Sequence, residues 1–99
     1  MTQTTICTIM RAAIVTGCAR GIGRAVALQL AKDGYNMALN DLPSSIRLLS
    51  DLQRDLADRN PEIKSIITTG DVTREAEVQR IVDETVHHLG SLNVVRTST

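Results

Sequence analysis

The stretch TGCARGIG, residues 16–23, decides how the rest of the chain is read, with glycines at 17, 21 and 23. Ala12, Ala13, Ile14 and Val15 precede it as a continuous apolar run, the pattern of a strand buried on both faces. A helical pattern follows over residues 22–33, with Ile22, Val26 and Leu30 spaced four apart on one face. A glycine-rich turn that leaves a strand and enters a helix is the setting a phosphate needs. Glycine supplies the free φ of a tight turn. Missing side chains let an anion approach the backbone, where the helix N-terminus offers free N–H groups and the positive end of its dipole.

The spacing is not G-x-G-x-x-G, and Arg24-Ala25 after Gly23 excludes the Lys-Ser/Thr of a P-loop. A plain connecting turn would accept the same glycines. Asp41 favours a ligand. It stands 18 residues after Gly23, at the end of the second apolar run. Adjacent parallel strands set such a carboxylate beside the first loop, where it accepts hydrogen bonds from ribose hydroxyls. It would repel a 2′-phosphate, which favours NAD over NADP. An aspartate before Leu42-Pro43 also suits an ordinary solvated turn. Arg20 argues the other way, because its side chain is long enough to reach a 2′-phosphate. Asp71 ends the third run on the same edge. With Val72 it suits an adenine: the carboxylate takes the amino group and the valine packs on the ring.

Outward from the loop, four apolar runs alternate with three helical patterns. Gly34 caps the first helix. Residues 37–39 form the second run, closed by Asn40 and Asp41. Pro43 and Ser44-Ser45 supply a turn and an N-cap. The second helix reaches Arg59 on a stripe of Leu49, Leu52 and Leu56, and Asn60-Pro61 ends it. Residues 65–68 form a β-branched third run, and Gly70-Asp71-Val72 is a turn. Thr73 is expected to cap the third helix, with Glu75 and Glu77 in its first turn. Val78, Ile81, Val82, Thr85, Val86 and Leu89 are expected to be its buried face, closed by Gly90. Residues 92–95 begin a fourth run. The order β-α-β-α-β-α-β implies an α/β fold, a parallel sheet with helices on its faces.

Composition narrows the function classes. At 99 residues there is room for one small domain, and 42 % apolar content is in the globular range. With no Phe or Trp and Tyr35 as the only aromatic, aliphatic residues must build the core. Eleven basic residues balance eleven acidic ones, which gives no footprint for nucleic acid. No apolar run nears the ~18 residues of a membrane span. Residues 1–10 lack the basic start and long apolar stretch of a secretory signal, so the expected location is cytoplasmic. Met10 offers an alternative start, with the residues before it a ragged extension. Cys7 and Cys18 are too few for a disulfide framework and lack metal-ligand spacing. His87 and His88 point about 100° apart on a helix and do not share a metal easily.

Taken in order, Thr16-Gly17-x-x-x-Gly21-Ile22-Gly23, Asp41 and Asp71-Val72 resemble the N-terminal half of a short-chain dehydrogenase/reductase. The likeness runs over residues 11–95, and residues 89–95 resemble the family's approach to its fourth strand. It implies a Rossmann-like sheet with helices on both faces, incomplete here at about three βα units plus the start of a fourth strand. It implies NAD(P) binding and hydride transfer between nicotinamide and an alcohol or ketone. By the same resemblance Gly17, Gly21 and Gly23 line the pyrophosphate, with Thr16 opening the motif and Ile22 giving a backbone contact. Asp41 holds the adenosine ribose, and Asp71 and Val72 hold the adenine.

In the family the fourth strand runs into an Asn-Asn-Ala-Gly segment. Residues 96–99 stand in its place as a divergent tail. The family's catalytic Ser, Tyr and Lys have no counterpart, and Tyr35 is followed four residues later by Leu39 rather than lysine. The chain is therefore expected to be the cofactor-binding part of a truncated product, not catalytic alone, with a homo-oligomer only for a full-length form. A non-catalytic dinucleotide-binding module and a fragment without function are the alternatives.

Overall fold

The structure is a computed structural model and describes residues 11–90 and 94–97. Met10, Cys7 and the rest of the expected N-terminal extension lie outside the described residues, as do residues 91–93 and 98–99. The order is β1 (Arg11–Thr16), α1 (Gly21–Lys32), β2 (Tyr35–Asn40), a short 3-10 turn (Pro43–Ser45), α2 (Ile46–Arg59), β3 (Ser65–Ile67), α3 (Glu75–Leu89) and β4 (Val94–Thr97).

All strands are parallel, and their spatial order is β3-β2-β1-β4. β1 sits inside the sheet, with Ala13 opposite Met37 on one side and opposite Val94 on the other. That position explains its unbroken apolar run, because alternate residues serve opposite faces. Ala13 and Val15 join the core under α1 and α2, and Ile14 faces the other side with Ala38 and Ile81 of α3. β4 extends through Arg96 and Thr97, two residues past the run expected from sequence, and pairs them with Val15 and Thr16.

Four local expectations change. Of the expected α1 stripe, Leu30 is buried and Val26 packs partly buried on the core, but Ile22 is 74 % exposed, and Gly23, Ala27 and Ala31 are buried as well. At Gly23 the helix lies against the Gly17 backbone with no room for a side chain, and apolar spacing alone does not register glycine and alanine. Val78 and Val86 of α3 are exposed, and Val82 is only half-buried. The helix meets the sheet through Ile81, Thr85 and Leu89. Thr73 does not cap α3, since Arg74 holds the N-cap position without a side-chain bond and Thr73 turns back to Asp71. Likewise Ser45 precedes α2 without a capping side-chain bond.

Gly34 and Gly90 close α1 and α3 with positive φ, as expected.

Candidate functional site

The site forms where β1, β2 and β3 end. Gly17 and Gly21 have φ of 63° and 64°, the left-handed region that favours glycine. Gly23 answers a different need. A Cβ there would collide with the Gly17 carbonyl oxygen and lie 2.8 Å from the Gly17 carbonyl carbon and 3.0 Å from Cys18 Cα. The first turn of α1 thus rests on the loop backbone.

The end of β2 fastens that loop. The Cys18 N–H donates to the Asn40 carbonyl at 3.1 Å, and the Ala19 N–H donates to Asp41 Oδ2 at 3.0 Å. Asp41 Oδ1 accepts the Leu42 N–H at 2.8 Å. On the other side, Asn40 Nδ2 donates to the Thr68 carbonyl at 2.7 Å, and the Gly70 N–H donates to the Asp41 carbonyl at 3.1 Å. Asn40 and Asp41 therefore tie all three loops together. Asp41 orders the glycine turn as well as facing the cleft.

That cleft has a volume of about 180 Å³. Thr16 and Gly17 line it from the first loop, Asn40, Asp41 and Leu42 from the second, and Gly70, Asp71 and Val72 from the third. Five residues singled out from sequence therefore meet in one place: Thr16, Gly17, Asp41, Asp71 and Val72. Arg20, Gly21, Ile22 and Gly23 lie along the loop and the start of α1, outside the cleft wall. Arg20 is exposed and takes the N-cap position of α1 with extended backbone. Asn40 and Leu42 were not singled out from sequence. Asn40 is 1 % exposed, so a polar residue closing an apolar strand just before an acidic one was its signal. Leu42, half exposed beside Asp41, gave none.

Charge is sorted across the site. The glycine turn presents backbone and a helix N-terminus, which suit an anion. The cleft presents two carboxylates, which suit hydroxyl and amino donors. Asp71 Oδ1 accepts the Thr73 hydroxyl at 2.6 Å and the Thr73 N–H at 2.9 Å. Those two bonds hold the Asp71 carboxyl below its usual range. Val72 is 39 % exposed at the lip and offers an apolar surface.

Cys18 is fully buried. Burial pushes its thiol up to about 12, and the Asp41 charge adds to the rise. Among the described residues no group of His, Cys, Asp and Glu could hold a metal ion. His87 and His88 stack edge to face at 5.0 Å in the last turn of α3. Among the described residues no helix is long and apolar enough to cross a membrane. A larger hollow of about 380 Å³ lies between α1 and α2 against Leu28, Lys32 and Arg59. It holds none of the residues singled out from sequence.

A parallel sheet with helices on both faces, and a crevice outside the carboxyl ends of its strands, define a doubly wound α/β protein of the Rossmann type. The family follows from direct comparison: residues 11–98 match the short chain dehydrogenase model, and the chain belongs to that family. Short-chain dehydrogenase/reductase eriH of Hericium erinaceus is 42 % identical over 85 residues, covering 84 % of this chain and 33 % of that protein. The 3-oxoacyl-acyl-carrier-protein reductase FabG of Staphylococcus epidermidis is 35 % identical, covering 86 % of this chain and 34 % of its own length. The alcohol dehydrogenase of the archaeon Thermococcus sibiricus, solved with 5-hydroxy-NADP, superposes with a TM-score of 0.78 at 29 % identity. That match covers 88 % of this chain and 36 % of the dehydrogenase. YwfH, an NADPH-dependent reductase involved in bacilysin biosynthesis, superposes with a TM-score of 0.79 at 26 % identity, covering 88 % of this chain and 34 % of its own. The chain spans about a third of the length of the curated relatives it matches.

Proposed function

We propose that these residues bind the adenosine diphosphate half of a nicotinamide dinucleotide, as the cofactor-binding part of an oxidoreductase. One observation carries the reading: Thr16, Gly17, Asp41, Asp71 and Val72, far apart in sequence, line one cleft next to the glycine turn. The residues present fit the group. Gly17, Gly21 and Gly23 leave the backbone bare where a pyrophosphate would lie, and adding a side chain at Gly23 would displace the loop. Asp41 would accept from the ribose hydroxyls. Asp71 would accept from the adenine amino group through Oδ2, since Thr73 occupies Oδ1. Val72 would pack on the ring.

When bound, the nicotinamide supplies a hydride to a ketone or receives one from an alcohol. That activity is proposed for the longer family fold. Within this third of it we assign residues to binding and none to catalysis. Turnover of an alcohol by the 99-residue chain would contradict that assignment.

The proposed preference is for NAD. A 2′-phosphate on the ribose would approach Asp41, whose charge opposes it. NADP is the second reading, favoured by exposed Arg20 and by the NADP ligands named for the solved relatives. Calorimetric titration separates the two. The account expects tighter binding of NAD than NADP by wild type. Asp41→Asn, which removes the charge and keeps one of the two acceptors that the Ala19 and Leu42 N–H groups use, should narrow or reverse that ratio. Tighter NADP binding by wild type, with no change on Asp41→Asn, would overturn the preference.

A further inference from the structure

We infer that Glu77 and Arg80 of α3 are positioning residues for adenine recognition: they strap the loop after β3 and so set Asp71 and Val72 at the lip of the cleft. The inference rests on the reading that this cleft takes the adenosine end of a dinucleotide.

The strap is built from three contacts. Arg80 Nη2 donates to the Thr69 carbonyl at 2.7 Å. The same nitrogen donates to Glu77 Oε1 at 3.1 Å. Glu77 Oε1 in turn accepts the Asp71 N–H at 3.3 Å. The pair therefore grips the backbone on both sides of Gly70. A second donor, Arg80 Nη1, meets Glu84 Oε2 at 3.3 Å and fixes the guanidinium along α3. Position i, i+3 and i, i+4 spacing on one helix face brings Glu77, Arg80 and Glu84 together.

Gly70 records the closeness of this grip from the other side. A Cβ there would lie 2.7 Å from Arg80 Nη2, 2.8 Å from Glu77 Oε1 and 3.2 Å from Ile81 Cδ1. Two of those atoms end flexible side chains, so alanine at 70 would push the strap off the loop without tearing the backbone. Other bonds reach this loop, since Gly70 is also held by the Asp41 carbonyl and Asp71 by Thr73. The Arg74 N–H at the N-cap of α3 also donates to the Asp71 carbonyl at 3.1 Å, but none of these bonds reaches the body of the helix. Without the strap, the Asp71 carboxylate keeps its local turn but loses its fixed height above the cleft.

The test compares two dinucleotides with wild type, Arg80→Met, Arg80→Lys and Gly70→Ala. One is NAD. The other is nicotinamide hypoxanthine dinucleotide, in which a carbonyl replaces the adenine amino group that Asp71 would accept. Wild type should prefer NAD by about tenfold, the size of one charge-assisted hydrogen bond. Arg80→Met and Gly70→Ala, which break the strap from opposite sides, should both bring that preference close to one. Arg80→Met should also leave affinity for the hypoxanthine form nearly unchanged. Arg80→Lys keeps one donor and should retain part of the preference. Equal weakening of both dinucleotides would show that the pair only supports the fold and would overturn the inference. So would an unchanged preference in both strap-breaking variants, or a wild type that does not distinguish the two. Failure of wild type to bind NAD at all would remove the binding reading and this inference together. Should Arg80→Met fail to fold, Gly70→Ala and Arg80→Lys still decide the matter.

Discussion

The two faces of the sheet are held by different means. Under α1 and α2, Ala13, Val15, Met37 and Leu39 of the sheet meet Ala27, Leu30, Leu49, Leu52 and Leu56 in one continuous buried cluster. Under α3 the buried cluster among the described residues is only Ile14, Ala38 and Ile81, with Ile66 and Val82 partly buried beside it. Polar contacts act on both sides, Gln53 of α2 donating to the Ser65 carbonyl at 2.9 Å, but beside so small an apolar cluster they carry a larger share under α3. Arg80 and Glu77 grip the loop after β3, and Lys64 Nζ donates to the His88 carbonyl at 3.1 Å near the end of α3. The glycine turn is thus backed by dense packing, which suits a backbone cradle that must keep its shape. The loop that carries Asp71 and Val72 depends more on directional contacts that a single substitution can release.

Apolar truncation on each face should break this comparison most forcefully. Leu52 is 1 % exposed within the large cluster, and Leu52→Ala should cost about 3–4 kcal/mol of unfolding free energy. Ile81 is 2 % exposed, but its cluster is small and can relax, so Ile81→Ala should cost nearer 2 kcal/mol. Denaturant unfolding of both variants measures the difference. Equal losses would mean that the α3 face is packed as tightly as the other.

Next in size is Gly23→Ala, which sets a Cβ against the Gly17 and Cys18 backbone. Overpacking of this kind costs about 1–3 kcal/mol. Here it should also lower NAD affinity tenfold or more, because the loop itself must shift. A variant that binds NAD as wild type does would remove the close approach of α1 from the account.

The smallest effect sharpens the chemistry of the dense side. Cys18 is fully buried, and its thiol is raised from 9.0 to about 12 by burial, with Asp41 adding. In the unfolded chain the thiol ionises first. Its contribution to stability is therefore complete below about pH 9 and is lost as pH rises toward about 12. Cys18→Ala should unfold with a shallower alkaline decline than wild type. Identical declines would mean that the thiol is not shielded.

Much of this arrangement was legible in the sequence because it is written in backbone chemistry. The glycines at 17, 21 and 23, the continuous run of β1 and Asp41 closing β2 each have a local cause, and each stands where that cause demands. What escaped depends on distance between elements. Ile22 fits an apolar stripe yet stands exposed, and α1 packs through Gly23, Ala27 and Ala31 as well as Leu30, with Gly23 against the Gly17 backbone. Val78 and Val86 fit the same kind of stripe on α3 and stand exposed, because that helix touches the sheet along a narrower line. Arg80 belongs to no motif and was not singled out from sequence. Only the position of the Thr69 carbonyl gives it work. Asp41 was read for its reach toward a ligand, and its bond to the Ala19 N–H became apparent only in three dimensions.

The central claim is that the small cleft at the strand ends, not the larger hollow between α1 and α2, receives the adenosine end of a dinucleotide. Backbone amide chemical shifts of the 99-residue chain, followed as NAD is added, test it most directly. The account predicts saturable shifts at Gly17, Ala19, Asp41, Leu42, Asp71 and Val72, with Leu28, Lys32 and Arg59 unmoved. Shifts centred on Leu28, Lys32 and Arg59, or none at the strand ends, would contradict it.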